Sequence, residues 1–248
     1  MELFYTPPER IDLSSGVLTV GDDEFFHIVK VLRKRVGERI RLTDGRGLSL
    51  VADIDAIGRG ELRASIVARE MVGAASTRVT VAMSLLKSAQ RFDFFLEKAT
   101  ELGVSGIVPM VTERTVSQPR AEKAARKVER WRKVLVAGLR QTGRFYLPEI
   151  CEPRSFEEVL GMGGYDLKLV PYEESRSSPV SDFAGKNVLF AVGGEGGFSE
   201  REISLAKENG FAEVSLGRSI LRAETAGMFA VAMVRARLAA TECREEWL

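Results

Sequence analysis

The 248-residue chain has one histidine, two cysteines and two tryptophans. Cys151, Cys243 and His27 cannot make up a usual four-ligand structural zinc site, so no metal is expected. Any Ser–His or Cys–His nucleophile pair would have to use His27 alone. No long uncharged apolar run is present, which argues against a membrane span. The start, Met1-Glu2-Leu3-Phe4, has neither the basic segment nor the apolar stretch of a signal peptide, so a cytoplasmic protein is expected. Hydrophobic residues make up 45% and charged residues 29%. That balance argues against disorder and fits one or two ordinary globular domains.

The formal net charge of +1 hides an asymmetry. Residues 1–77 carry 11 basic and 12 acidic side chains, residues 78–149 carry 14 and 7, and residues 150–248 carry 11 and 16. The basic excess peaks between Arg120 and Lys133, with seven basic residues against two acidic. Such a stripe is either a phosphate-backbone footprint or a solvated helix face.

Periodicity divides the chain. Val17–Val20, Arg39–Leu42, Leu48–Ala52 and Leu62–Val67 read as short strands separated by Gly21-Asp22, Asp44-Gly45 and Gly58-Arg59-Gly60. A helical piece over Asp22–Arg33 interrupts them. This predicts a small β-barrel over residues 1–73, with Gly73-Ala74-Ala75-Ser76 as linker. Residues 74–248 alternate apolar strands with helices, which predicts an α/β domain with a parallel sheet. A long helix is expected over 121–142, with Ala124, Val128, Trp131, Leu135 and Leu139 on one face; Trp131 then belongs to the core rather than to a base-stacking surface. Ser155 with Glu158, and Ser199 with Glu202, have capping-box spacing.

Ligands of open α/β sheets bind beyond the carboxyl ends of strands. Three junctions of that kind stand out. Leu169-Val170-Pro171-Tyr172-Glu173-Glu174 is the first. The second, Gly193-Gly194-Glu195-Gly196-Gly197-Phe198-Ser199, lacks the Lys-Ser/Thr ending of a P-loop. It is also a poor dinucleotide fingerprint, because Ser199 takes the place of the third glycine. Glu195 would repel a phosphate there. A cationic ligand suits the loop better, and the sulfonium and ammonium of S-adenosylmethionine qualify; a tight strand–helix turn is the plain alternative. The third junction is Leu216-Gly217-Arg218-Ser219-Ile220-Leu221-Arg222-Ala223-Glu224-Thr225-Ala226. A helix dipole favours a carboxylate at Glu224, with a local Arg222–Glu224 surface pair as the alternative.

The glycine loop, followed by Leu216-Gly217 and Ile220–Ala226, resembles the RsmE family of 16S rRNA uridine N3-methyltransferases, in the SPOUT class. Lys98–Val104, Thr112-Glu113-Arg114, Gln141–Arg144 with Leu147-Pro148, and His27–Arg33 with Gly37 extend the similarity over nearly the whole chain. Two positions depart from the family: Gly194, usually proline, and Arg140, commonly glutamate. Arg140 is expected to add charge near the RNA side.

The resemblance implies an N-terminal PUA-like barrel, a C-terminal domain with a deep trefoil knot, and a homodimer. It implies S-adenosylmethionine as cofactor, and 16S rRNA or the small ribosomal subunit as partner, methylated at N3 of the uridine at position 1498. The knot rests on the resemblance alone. Carried over by position, Leu169, Val170, Pro171, Gly193, Gly194, Glu195, Gly196, Gly197, Leu216, Gly217, Ile220, Leu221, Thr225 and Ala226 would surround the cofactor, with Leu216, Ile220 and Leu221 giving adenine an apolar slot. Arg222 would stabilise negative charge on the base, and Glu224 would orient Arg222 or accept a proton. Arg33, Lys34, Arg35, Lys87, Arg91, Gln141 and Arg144 would contact RNA, with His27 more often a packed histidine than a ligand. Other readings are a methyltransferase for another RNA, a non-catalytic RNA-binding factor and, more remotely, a dehydrogenase.

Overall fold

The computed structural model describes residues 2–116, 121–173, 175 and 182–241. Arg120, Glu174 and Cys243 lie outside these. Two compact units are present: residues 1–74 with 136–147, and residues 75–135 with 148–248.

The first unit contains β1 (Leu3–Tyr5), β2 (Ile11–Asp12), β3 (Val17–Gly21), α1 (Asp22–Phe26), β4 (Arg39–Thr43), β5 (Leu48–Ile57) and β6 (Glu61–Met71). They form one six-stranded sheet in the order β1-β4-β5-β6-β3-β2. Alternation dictates its core. Leu18 and Val20, Ile40 and Leu42, Leu50, Ala52 and Ile54, and Leu62 and Ala64 all point inward and are buried because strand side chains alternate between faces. Register shifts between Val51 and Ala52 and between Ile54 and Ala56 bend the long β5–β6 pair. The sheet therefore curls, and its strand path stays open between edge strands β1 and β2, where the sequence pattern predicts a barrel. Thr6 helps hold the curl: its N–H donates to Thr43 O and its Oγ1 to Thr19 O. After α1 the helix widens over His27–Val31, with Leu32 N donating to His27 O.

The unit also recruits Val136–Leu147, a segment that periodicity places with the second half. The cause is local bonding. Gly47 N donates to Phe145 O, Leu147 N to Gly45 O and Tyr146 Oη to Val72 O. Gly47 has φ +101° and no room for a side chain beside the Tyr146 ring. Arg140 belongs here too. It donates to Glu24 Oε1 at 2.8 Å, so it neutralises a buried carboxylate instead of adding free charge for RNA. Burial raises the Glu24 carboxyl, and the Arg140 charge, the Tyr5 N–H and the Arg140 bond offset this only in part, so its pKa stays raised. Arg140→Ala should cost about 3 kcal/mol, since it leaves that carboxylate without a cation. Glu24→Gln in the same chain should recover most of this in urea titration, and an equal loss in both backgrounds would refute the pairing.

The second unit contains β7 (Arg78–Ser84), α2 (Ala89–Glu101), β8 (Gly106–Val111), the first part of α3 (Ala121–Thr142), β9 (Glu149–Ile150), β10 (Arg154–Ser155), α4 (Phe156–Leu160), β11 (Leu167–Pro171), β12 (Asn187–Val192), α5 (Glu200–Glu208), β13 (Ala212–Val214) and α6 (Ala223–Thr241). Its sheet runs β10-β8-β7-β12-β11-β13, with β9 also beside β8, and every pairing is parallel. The central strands are buried almost throughout: Val79, Val81, Ala82 and Met83 in β7, Val188–Val192 in β12. Helices covering both faces require such continuous apolar runs. Trp131 is buried and packs on Phe92, ring centroids 5.0 Å apart, as its helical spacing predicts.

α6 packs on α2 through Gly227. A Cβ there would lie 2.6 Å from the Phe95 ring and 3.5 Å from Met83 Sδ, and Phe95 is itself fully buried. The helix-propensity gain of losing a glycine is about 1 kcal/mol, whereas overpacking a closed core costs about 1–3 kcal/mol or more. Gly227→Val, with two further methyl groups, should therefore melt well below the parent chain. An unchanged melting temperature would show that the α2–α6 contact can open freely.

Among the described residues, no helix is long and apolar enough to cross a membrane, and no group of His, Cys, Asp and Glu could hold a metal ion.

Candidate active site at the carboxyl edge of the parallel sheet

Because every strand of the second sheet runs the same way, their carboxyl ends face one edge, where these segments emerge: residues 85–88 after β7, 112–116 after β8, 172–173 after β11, 193–199 after β12 and 215–222 after β13. The three junctions singled out by sequence are among them.

The glycine loop folds back on itself. Gly197 N donates to Gly194 O at 3.1 Å, and Gly197 has φ +62°, a left-handed geometry that glycine adopts without strain. At Gly193 a Cβ would meet the Gly197 carbonyl carbon at 3.1 Å and its Cα at 3.2 Å. Gly194 adjoins Ser84 Oγ, which belongs to a buried cluster of hydroxyls with Thr112 and Thr115. Ser199 and Glu202 form the predicted capping box, so α5 starts squarely at the end of the loop.

Residues of the junction after β8 hold this loop from outside. Arg114 donates to Gly196 O at 2.7 Å. Glu113 accepts from Ser199 Oγ at 2.8 Å, and its own N–H donates to Glu202 Oε1. The Thr112-Glu113-Arg114 triplet was visible in sequence as a family match, but no local pattern tied it to a loop more than 80 residues away.

Glu195 and Glu224 converge on Arg91, in the first turn of α2. Arg91 Nε donates to Glu224 Oε1 at 2.9 Å and Nη2 to Oε2 at 2.5 Å. Its Nη1 donates to Glu195 Oε1 at 3.2 Å, which also accepts from the Lys87 N–H. The local Arg222–Glu224 surface pair is therefore not formed. Glu224 is only 6% exposed, and its carboxylate is bound by an arginine 133 positions away. Arg222 is exposed and, among the described residues, has no hydrogen-bond or ion-pair partner. Its carbonyl accepts from Ala226 N and so opens α6.

Burial by itself raises the Glu224 carboxyl. The Arg91 bonds, its own backbone N–H, and the charges of Arg91 and Arg222 outweigh this and leave it below its ordinary value of 4.5. A depressed carboxylate contributes stability that is present above the unfolded value and lost as pH falls through the folded one. The stability advantage of the parent chain over Glu224→Gln should hold at neutral pH and shrink as pH falls below 4.5. Melting curves at stepped pH check this, and an advantage that grows toward acid would reverse the assignment.

The remaining candidates divide. Leu169 and Val170 are buried within β11, and Pro171 ends it. Gly217 has φ +115°. Leu216 and Leu221 are partly covered, as are Thr225 and Ala226 in the first turn of α6. Ile220 is 83% exposed, so it is left open by the described residues. Lys87 is exposed beside the loop.

The other RNA candidates lie in the first unit. Arg33, held at φ +57°, and Arg35 are exposed, while Lys34 pairs with Glu38 at 3.3 Å. His27 Nε2 is 2.8 Å from Glu2 Oε1, so it is engaged within the fold. Gln141 is exposed. Arg144 is half-buried, which lowers its pKa. Reading by charge alone passed over two exposed apolar side chains of the same unit, Phe26 at 60% and Val31 at 55%.

Residues 74–235 match the family model of an RNA methyltransferase domain, and residues 20–67 that of an RNA methyltransferase PUA domain. The Ribosomal RNA small subunit methyltransferase E of Mycobacterium bovis is 31% identical over 239 residues, covering 94% of this chain and 90% of that protein. The chain belongs to the ribosomal RNA small subunit methyltransferase E family. The Bacillus subtilis member of this methyltransferase E family is 27% identical over 87% of the chain and 88% of its own length. A methyltransferase E crystal structure from Neisseria gonorrhoeae, bound to S-adenosyl methionine, is 31% identical and superposes with a TM-score of 0.84 over 95% of this chain and 97% of that one.

Proposed function

We propose that this chain methylates N3 of a uridine in 16S ribosomal RNA, at the position its family modifies, with S-adenosylmethionine as methyl donor. The observation that carries this reading is the juxtaposition at the carboxyl edge. A glycine loop bearing one carboxylate lies beside a helix start whose buried carboxylate is neutralised from elsewhere and whose arginine is exposed.

The donor set fits the cofactor. The turn at Gly193–Gly197 exposes backbone where a Cβ would close the fold, and the Glu195 carboxylate in that turn is a counter-charge for a cationic ligand. Leu169–Pro171, Gly193–Gly197, Leu216, Gly217, Ile220, Leu221, Thr225 and Ala226 would hold it. Bound there, S-adenosylmethionine supplies an activated methyl group. N3 of uracil carries a proton that must pass to solvent water before the nitrogen can act as nucleophile. Arg222, exposed and without a hydrogen-bond or ion-pair partner among the described residues, stabilises the negative charge that develops on the base. Glu224 is ionised and held on Arg91, so it is a weak proton acceptor and shapes the local field instead. Arg33, Lys34, Arg35, Lys87, Gln141 and Arg144 serve RNA binding, and their cations make it salt-dependent.

The same reading includes a cytoplasmic location, a knotted chain path and a homodimer. Phe94 on α2 and Phe229 on α6 are both exposed, and these apolar surfaces support pairing with a second copy.

The test is transfer from labelled S-adenosylmethionine to small subunits lacking the modification, with the product nucleoside identified. N3-methyluridine is expected. A different methylated nucleoside would replace the substrate. No transfer together with no cofactor binding in calorimetry would leave a non-catalytic RNA-binding protein.

A further inference from the structure

Arg91 lies at the start of α2, where a basic residue next to Lys87 reads as a phosphate contact. Its surroundings say otherwise. Three of its nitrogens face carboxylate oxygens: Nε and Nη2 the two oxygens of Glu224, and Nη1 one oxygen of Glu195. The three residues come from three separate segments: Arg91 from the first turn of α2, Glu195 from the loop after β12 and Glu224 from the first turn of α6. A guanidinium that ties these together would have to release two carboxylates to take a phosphate.

We propose that Arg91 is a positioning residue: it fixes the glycine loop through Glu195 and, by occupying Glu224, leaves Arg222 free to meet the substrate base. The inference rests on the proposed methyl transfer. Glu224 is buried, and besides Arg91 the arginine whose charge acts on it is Arg222, two residues earlier. An uncompensated buried carboxylate seeks the nearest cation. Without Arg91, Glu224 would draw in Arg222, and the free cation of the site would be lost. Among the described residues, Glu195 would keep only the Lys87 N–H, so the loop that cradles the cofactor would loosen. Arg91 thus separates the two roles that a bare Arg222-Ala223-Glu224 sequence would let cancel.

The experiment uses the full chain and compares the parent with Arg91→Gln, Glu195→Gln and the double variant Arg91→Gln/Glu224→Gln. S-adenosylmethionine affinity is read by calorimetry without RNA. RNA affinity is read against salt, and single-turnover methyl transfer with labelled cofactor. Arg91→Gln is expected to weaken cofactor binding about tenfold and slow transfer about thirtyfold, with RNA affinity and its salt slope unchanged. Glu195→Gln should weaken the cofactor alone. The double variant should transfer faster than Arg91→Gln, because removing the stranded carboxylate frees Arg222; a merely structural role for Arg91 would make two substitutions worse than one.

A salt slope reduced by about one, with cofactor affinity unchanged, would make Arg91 a phosphate ligand and overturn the proposal. A double variant no faster than Arg91→Gln would overturn the part concerning Arg222. If the parent chain itself neither bound the cofactor nor transferred methyl, the underlying enzyme reading would fall. Parent activity with Arg91→Gln indistinguishable from it would end this inference alone.

Discussion

Replacing Arg222 with alanine should cut single-turnover methyl transfer by about a hundredfold to a thousandfold, the usual cost of removing a donor aimed at developing charge. S-adenosylmethionine affinity and melting temperature should barely move. The physical basis is the asymmetry between Arg222 and its neighbour. Arg222 is exposed and has no hydrogen-bond or ion-pair partner among the described residues, and exposed substitutions of that kind stay within about 0.5 kcal/mol. Glu224 is buried and bonded, so its removal mixes stability with activity. Lysine at position 222 should recover only part of the rate, since a point charge lacks the planar fork of the guanidinium. A loss under threefold in Arg222→Ala would mean that charge on the base is stabilised by some other group.

The second large effect is expected at Gly193. Alanine there brings a methyl group to 3.1–3.2 Å from the backbone of Gly197. A flexible side chain could yield, but this neighbour is main chain, held by the Gly197 N–H to Gly194 O bond. The turn must open, and the backbone that would cradle the cofactor moves with it. Cofactor affinity should fall at least about tenfold, equivalent to about 1.4 kcal/mol. Thermal stability should fall as well, because the same methyl group would lie 3.3 Å from the ring of Phe198, which is buried in the core against Phe156. Gly194→Ala is the internal comparison. Its Cβ would meet Ser84 Oγ at 3.1 Å, a hydroxyl rather than backbone, so the loss should be smaller. Equal losses at both positions would point to general loop flexibility rather than to the Gly193–Gly197 contact.

Much of this site was legible because the relevant patterns are short. The Ser199–Glu202 capping box spans four residues and announces where α5 starts. The apolar run of β12 followed by four glycines announces a strand end with an open loop. Trp131 could be assigned to the core because helical spacing alone puts it on the face of Leu135. Charge reading was weaker. Arg91 and Arg140 looked like candidates for the RNA side, yet each serves a buried carboxylate, Glu224 and Glu24 respectively. Their partners are 133 and 116 residues away, and a carboxylate's choice between two arginines depends on which one the fold brings to it. The recruitment of residues 136–147 to the first unit was hidden for the same reason. Gly45 and Gly47 look like ordinary turn residues until Tyr146 and Leu147 pack against them.

By itself the amino-acid sequence determined the period of each segment, the turn and cap positions, the two-part organisation, and the set of glycines and charges gathered at three strand ends. Those depend on interactions within a few residues, and local sterics and hydrogen bonding suffice to specify them. Only the tertiary structure decided which of these charges are free and which are neutralised. Parallel strand order brought α2, the glycine loop and the start of α6 to one edge, and there Arg91 bound Glu224 and left Arg222 exposed. Ion pairing of a buried group is set by proximity in space, and proximity between distant segments exists only once the sheet has formed.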